Sequence, residues 1–217
     1  VLCFRRLSGR SRMGRARRER LAARKTVKAV FSARYTRLKE VIAMTQWGFL
    51  VDKRKCTGCK ACEIACKRRN GLEPGDARLR RVQYIDSGEF PETKVTRFSL
   101  SCMHCADPAC MKVCPAGAIT KNAEDGAVIA DRGKCIGCHY CYFACPFGVP
   151  QYREEDGTMV KCDLCADRRA MGLDPACAHT CFYGALKAGP LNELSEMANG
   201  EADLFAGDTD PSVVSIG

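Results

Sequence analysis

Cys135-Ile136-Gly137-Cys138-His139-Tyr140-Cys141-Tyr142-Phe143-Ala144-Cys145-Pro146 sets four cysteines two, two and three residues apart and closes with a proline. A cubane of iron and sulfide has four iron corners and needs four thiolates. A Cys-x2-Cys-x2-Cys loop can wrap three of those corners and turn its backbone N–H groups toward the sulfides. The cysteine after the three-residue gap lies on a short helix leading away, and in two-cluster proteins built on this run it ligates the other cluster. Knots of this kind therefore work in pairs.

Three further knots recur in the 217-residue chain, and this internal repeat is its strongest signal. The first is Cys56, Cys59, Cys62 and Cys66; the second is Cys102, Cys105, Cys110 and Cys114, followed by Pro115; the fourth is Cys162, Cys165, Cys177 and Cys181. Sixteen of the seventeen cysteines fall in the four knots, and Cys3 alone lies outside them, with no role or that of a reactive thiol. A disulfide framework fits poorly, because cysteines two residues apart on one turn are poor partners for one another. Structural zinc also uses Cys-x2-Cys knuckles, but such sites pair two knuckles and have no use for a third and fourth cysteine in each run.

The formal charge of +10 suggests nucleic acid until its position is read. Residues 1–43 carry fourteen Lys and Arg against Glu19 and Glu40, a net of +12, while the remainder carries twenty-one basic and twenty-three acidic groups, a net of −2. A nucleic-acid binder is expected to carry its basic patch on the folded domain, so no nucleic-acid partner is expected. Three readings of the basic leader stay open: a stretch upstream of a start at Met44, a disordered tail, or an atypical targeting segment. Arg5-Arg6 is followed by the polar run Leu7 to Arg12, where a twin-arginine signal needs apolar residues. No run of eighteen apolar residues is present, so membrane attachment would need a partner.

Between the knots, short β-like runs alternate with turn residues. A strand is expected at Gly48–Asp52, and hairpins pair Arg80–Asp86 with Lys94–Leu100, Ala118–Thr120 with Ala127–Ile129, and Gln151–Arg153 with Thr158–Val160. A helix is expected over Leu191–Asn199, and residues 200–217 read as a flexible acidic tail. Small hairpins and one-turn helices around cysteine knots give an α+β body of ferredoxin-like character.

From Trp47 to about Met197 the chain resembles the iron-sulfur electron-transfer (beta) subunit of the DMSO reductase family of molybdopterin oxidoreductases. The resemblance rests on the knot order, with four residues between Cys105 and Cys110 and eleven between Cys165 and Cys177, and on local matches such as Gly48-Phe49, Cys56-Thr57-Gly58-Cys59-Lys60, Cys102-Met103-His104-Cys105, Asp107-Pro108-Ala109-Cys110 and Cys135-Ile136-Gly137-Cys138. It implies a double ferredoxin-like fold, in which an inner 2[4Fe-4S] module over 102–146 is nested in an outer one formed by 44–101 and 147–199. It also implies four [4Fe-4S] clusters. Cluster A takes Cys56, Cys59, Cys62 and Cys181; cluster B takes Cys66, Cys162, Cys165 and Cys177. Cluster C takes Cys102, Cys105, Cys110 and Cys145; cluster D takes Cys114, Cys135, Cys138 and Cys141. Nitrate reductase-type relatives have a tryptophan at one ligand position and formate dehydrogenase-type relatives end in a membrane helix; here every ligand position is cysteine and no such helix is read. Lys67 and Phe182 stand where the second and third knots have proline, which leaves the outer pair's backbone less predictable.

The implied function is a relay of electrons between a molybdopterin-containing catalytic subunit and a membrane quinol-reactive anchor subunit or other redox partner. The equivalent subunit of a hydrogenase or formate-hydrogen complex and a free-standing redox sensor are the alternatives. No triad, P-loop or dinucleotide fingerprint is present, so the chain is expected to be non-catalytic. The expected location is peripheral to the cytoplasmic membrane after cytoplasmic synthesis, or across it by export with a signal-bearing partner. His104, His139 and His179 all lie in knots and are candidates for hydrogen-bonding to cluster sulfur, with local packing as the alternative. Tyr140, Tyr142, Phe143 and Phe147 are expected mainly as core that keeps water from the clusters. Lys60, Lys67, Arg68 and Arg69 read either as a solvated helix face or as charges that raise a cluster potential or dock an acidic partner.

Overall fold

A computed structural model describes residues 46–217 apart from 76, 200–201 and 205–207. The basic leader, residues 1–43, lies outside the described residues, as does Cys3.

The strand expected before the first knot is β1, Trp47–Asp52, and it is buried almost throughout. It reads Phe49-Leu50-Val51 without alternation because it is covered on both faces. Its antiparallel neighbour is β8, Leu186–Pro190, which follows the fourth knot and pairs Val51 with Leu186 and Trp47 with Pro190. On its other edge lies β10, Val213–Ile216, parallel to β1 with Phe49 opposite Val213. β9, Ala202–Leu204, completes a sheet of order β8-β1-β10-β9. The tail expected to be flexible is thus corrected over its last residues: Val213, Val214, Ser215 and Ile216 are all buried in the sheet. Gly48 admits this closeness, since a Cβ there would lie 2.1 Å from the Ser212 carbonyl oxygen.

The expected hairpins are present. β2 (Arg80–Ser87) pairs with β3 (Lys94–Ser101), β4 (Ile119–Lys121) with β5 (Val128–Ala130), and β6 (Gln151–Tyr152) with β7 (Met159–Val160). The base of the first hairpin buries Val82, Phe98 and Leu100, whereas Ile85 and Phe90 near its tip are exposed.

Among the described residues there are six short helices, five at the knots and one after them: α1 (Ala61–Arg69), α2 (Ala109–Lys112), α3 (Tyr140–Ala144), α4 (Ala166–Ala170), α5 (Ala176–His179) and α6 (Leu191–Met197). α6 realises the helix expected there and caps the sheet with Leu191 and Leu194. α1, in the first knot, packs on α5, in the fourth; α2, in the second, packs on α3, in the third. The body is therefore α+β, and its core is shared between apolar side chains and cysteines. Phe49, Val51, Phe98, Met103, Leu164 and Val213 form one cluster with Cys62, Cys102, Cys162 and Cys177; Ile119, Val128 and Met159 form another around Cys141.

Candidate metal centres

The local backbone of the knots follows one rule. The residue before the second cysteine has positive φ in all four: Gly58 (75°), His104 (42°), Gly137 (67°) and Leu164 (55°). In the first and third knots the residue after that cysteine, Lys60 (62°) or His139 (64°), does the same. Left-handed residues among right-handed ones turn successive N–H groups to one side and make an anion-binding concavity. For Lys60, His104, His139 and Leu164 this conformation is unfavourable on its own. It persists where surrounding structure enforces it, as at functional sites.

The structure brings cysteines of different knots together. One cavity is lined by Cys56, Cys59, Cys62 and Cys181 with Val51, Val82 and Leu186. A second is lined by Cys114, Cys135, Cys138 and Cys141 with Ile119, Tyr152 and Met159. Cys66 is buried, and burial first, then its neighbour Cys177, pushes its thiol up to about 12. Burial lifts Cys162 well above its ordinary value, with Cys66 and Cys177 adding to the shift. Burial pushes Cys110 up to about 12 and Cys105 to about 11, and Cys102 and Cys145 contribute to both. None of the sixteen forms a disulfide. Without metal the raised thiols of Cys66, Cys105, Cys110 and Cys162 are neutral near pH 7, so binding iron through them must release protons. Among the described residues no three such side chains converge closely enough to hold a single ion. The donor set fits a polynuclear group instead: soft thiolates around an apolar cavity, presented with inward-turned N–H groups.

Several sulfurs have a polar neighbour that sequence reasoning missed. Tyr152 Oη lies 3.2 Å from Cys141 Sγ, Ser99 Oγ 3.4 Å from Cys62 Sγ and Thr209 Oγ1 3.4 Å from Cys105 Sγ. Backbone N–H groups of Ala118 and Met159 donate to Cys114 and Cys135, both at 3.3 Å. Lys161 is buried with Nζ 3.6 Å from Cys102 Sγ, and it donates to the carbonyls of Cys162 and Val128. Arg80 is buried beside cysteines of the first and fourth knots. The C-terminal tail contributes again here, because Thr209 accompanies Ser212, whose hydroxyl donates to the His104 carbonyl at 2.9 Å.

The three histidines part company. His104 is fully buried, and Nδ1 accepts a 3.0 Å bond from the Val128 N–H while Nε2 is buried without a partner among the described residues. Burial, reinforced by Lys161 and Arg169, holds it far below its ordinary pKa, so it is neutral. His139 stacks on the Tyr152 ring at 3.6 Å. His179 is exposed at the end of α5. The aromatic residues of the third knot are corrected: Phe143 is 80% exposed, and Tyr140 and Tyr142 are exposed too, while Phe147 alone packs partly against the core. α3 has one inward position, and Cys141 occupies it. Of the basic residues after the first knot, Arg69 pairs with Asp163 and Asp167, Lys67 donates to the carbonyls of Glu73 and Gly75, and Lys60 lies 5.7 Å over the Tyr84 ring.

Residues 93–191 match the family described as "4Fe-4S dicluster domain". Over 158 residues the protein is 48% identical to the B subunit of the anaerobic dimethyl sulfoxide reductase of Escherichia coli (strain K12), covering 69% of its own length and 76% of the relative. It is 42% identical to the thiosulfate reductase electron transfer subunit PhsB of Salmonella typhi over 152 residues, 68% of its own length and 78% of that one. A third relative is the iron-sulfur subunit of the nitrate-inducible formate dehydrogenase of E. coli (strain K12), 37% identical over 165 residues, 69% of this protein and 56% of that one.

Proposed function

Because the chain belongs to the iron-sulfur electron-transfer subunits of the DMSO reductase family, and is an electron carrier with no catalytic site of its own, we propose that it holds four [4Fe-4S] clusters in two interlocked pairs. The arrangement is a nested double ferredoxin. The outer pair takes Cys56, Cys59, Cys62 and Cys181, and Cys66, Cys162, Cys165 and Cys177; the inner pair takes Cys102, Cys105, Cys110 and Cys145, and Cys114, Cys135, Cys138 and Cys141. The observation that carries the proposal is the pair of cavities, each ringed by three cysteines of one knot and the last cysteine of another. The packing of α1 on α5 and of α2 on α3 supports the same pairing. In module terms, 102–146 would lie within 44–101 and 147–199.

When bound, each cluster takes up and gives up one electron, at a potential set by hydrogen bonds, charge and burial. The chain's own residues supply those three conditions. Val51, Val82, Leu186, Ile119 and Met159 line the cavities and keep water out, the backbone N–H groups of Ala118 and Met159 donate to Cys114 and Cys135, and the Ser99, Thr209 and Tyr152 hydroxyls would donate to Cys62, Cys105 and Cys141 once these are thiolates.

The partners we propose are a molybdopterin-containing catalytic subunit on one side and a membrane quinol-reactive subunit on the other. No helix among the described residues is long and apolar enough to cross a membrane. Native co-purification with metal analysis tests this reading. A stable complex with a molybdenum-containing protein is the expected result; a nickel-containing partner, or a lone monomer, would overturn it.

A further inference from the structure

Arg80 opens β2, yet it is 2% exposed. Its guanidinium sits 4.3 Å from the Phe49 ring centroid. Nη1 donates to Ser99 Oγ at 3.0 Å and Nη2 to Ser101 Oγ at 2.8 Å. Nε is buried without a partner among the described residues. All its hydrogen-bond acceptors are neutral, and no carboxylate among the described residues forms an ion pair with it. A guanidinium keeps its charge in any environment, and an unpaired buried charge is strongly unfavourable. Among the other buried or half-buried cations, Arg169 pairs with Asp125 at 2.6 Å and Arg69 with Asp163 at 3.2 Å, whereas Lys161, like Arg80, lies beside a cysteine and bonds to neutral carbonyls. What surrounds Arg80 instead is cysteine. Ser99 Oγ, which accepts from Arg80, is also the hydroxyl 3.4 Å from Cys62 Sγ. Cys177, Cys162 and Cys66 are the other anionic candidates near it, and with Cys62 they act against burial in favour of the charged guanidinium.

We propose that Arg80 is the fixed counter-charge of the outer cluster pair, balanced by the thiolate-ligated iron at Cys62 on one side and at Cys66, Cys162 and Cys177 on the other, and that it holds the reduction potentials of that pair above those of the ligands alone. The proposal rests on the outer-pair assignment made above. No bond forms or breaks: the electron delivered by the relay adds negative charge beside the guanidinium, so the reduced state gains more from Arg80 than the oxidised state does. Ser99 extends the effect to one sulfur. Arg80 donates to its oxygen, which frees the Ser99 proton for Cys62 once that cysteine is a thiolate.

The test is an EPR-monitored redox titration of the loaded full chain as wild type, Arg80→Met and Arg80→Lys, with iron counted on each sample. Arg80→Met is expected to weaken reduction of the outer pair at least tenfold, which is about 59 mV downward for a one-electron couple, while the inner pair moves far less. Arg80→Lys keeps the charge and should stay within about a factor of three of wild type, or about 28 mV. If Arg80→Met loses the outer clusters altogether and Arg80→Lys keeps them, the need for charge is established through loading instead of potential. Outer-pair potentials in Arg80→Met equal to wild type overturn the proposal; so does an Arg80→Lys protein as defective as Arg80→Met, which would make Arg80 a packing residue. Iron in the wild-type sample reports on the cluster assignment separately.

Discussion

Tyr152→Phe removes one oxygen from the cavity ringed by Cys114, Cys135, Cys138 and Cys141. The phenol lies 3.2 Å from Cys141 Sγ, and its ring is held by the parallel stack on His139, 6° from coplanar. Phenylalanine keeps that stack, so the change isolates the hydrogen bond. A bond to an ionised group contributes about 1.5–3 kcal/mol. Reduction adds one negative charge spread over the cluster and its four thiolates, so a third to a half of that energy, about 0.5–1.5 kcal/mol, separates the reduced from the oxidised state. At about 59 mV per 1.4 kcal/mol for one electron, the substitution should lower one potential by about 20–60 mV. EPR-monitored titration of the loaded chain reads it directly. An unchanged or raised potential, or equal shifts in several clusters, would refute the role assigned to the phenol.

Other consequences are equally specific. Cys66→Ser and Cys162→Ser should remove the same EPR component, and Cys56→Ser and Cys181→Ser a different one; loss of a common component by Cys66→Ser and Cys56→Ser would contradict the interlocked pairing. Gly48→Ala drives a methyl group to 2.1 Å from the Ser212 carbonyl oxygen and should separate β1 from the segment leading into β10. An overpacking cost of about 1–3 kcal/mol is expected, read as a lower melting temperature of the loaded chain. Leu194→Ala empties the contact of α6 with the sheet at a residue 1% exposed and should destabilise by about 2–5 kcal/mol in denaturant titration, with all cluster signals retained.

What the sequence disclosed, and what it hid, follow from the range of the interactions concerned. The knots are local and read directly; the hairpins around Ser87–Pro91, Asn122–Gly126 and Glu154–Gly157 followed from turn residues between β-like runs. β10 was hidden because Val213–Ile216 is four residues long, follows an acidic Gly-containing stretch, and is a strand only because β1, far earlier in the sequence, leaves an edge open. Arg80 and Lys161 were invisible for a different reason. A long cation reads as solvent-facing, and the groups that take these two in, Ser99, Ser101 and Phe49 around Arg80 and the Val128 carbonyl at Lys161, come from other elements of the fold. Tyr140, Tyr142 and Phe143 misled in the opposite sense, since aromatic character suggested core on a helix whose one inward position already belongs to Cys141. Tyr152, in the hairpin that follows the third knot's proline, could have been suspected only from its place in β6.

Quantifying iron and acid-labile sulfide in anaerobically loaded protein, with Mössbauer spectra of the same sample, tests the central claim most directly. Four cubanes predict about sixteen irons and sixteen sulfides per protein molecule, all as [4Fe-4S], with magnetic interaction between clusters on reduction. About eight irons per molecule in fully loaded protein, or zinc retained at the knots in place of iron, would contradict it.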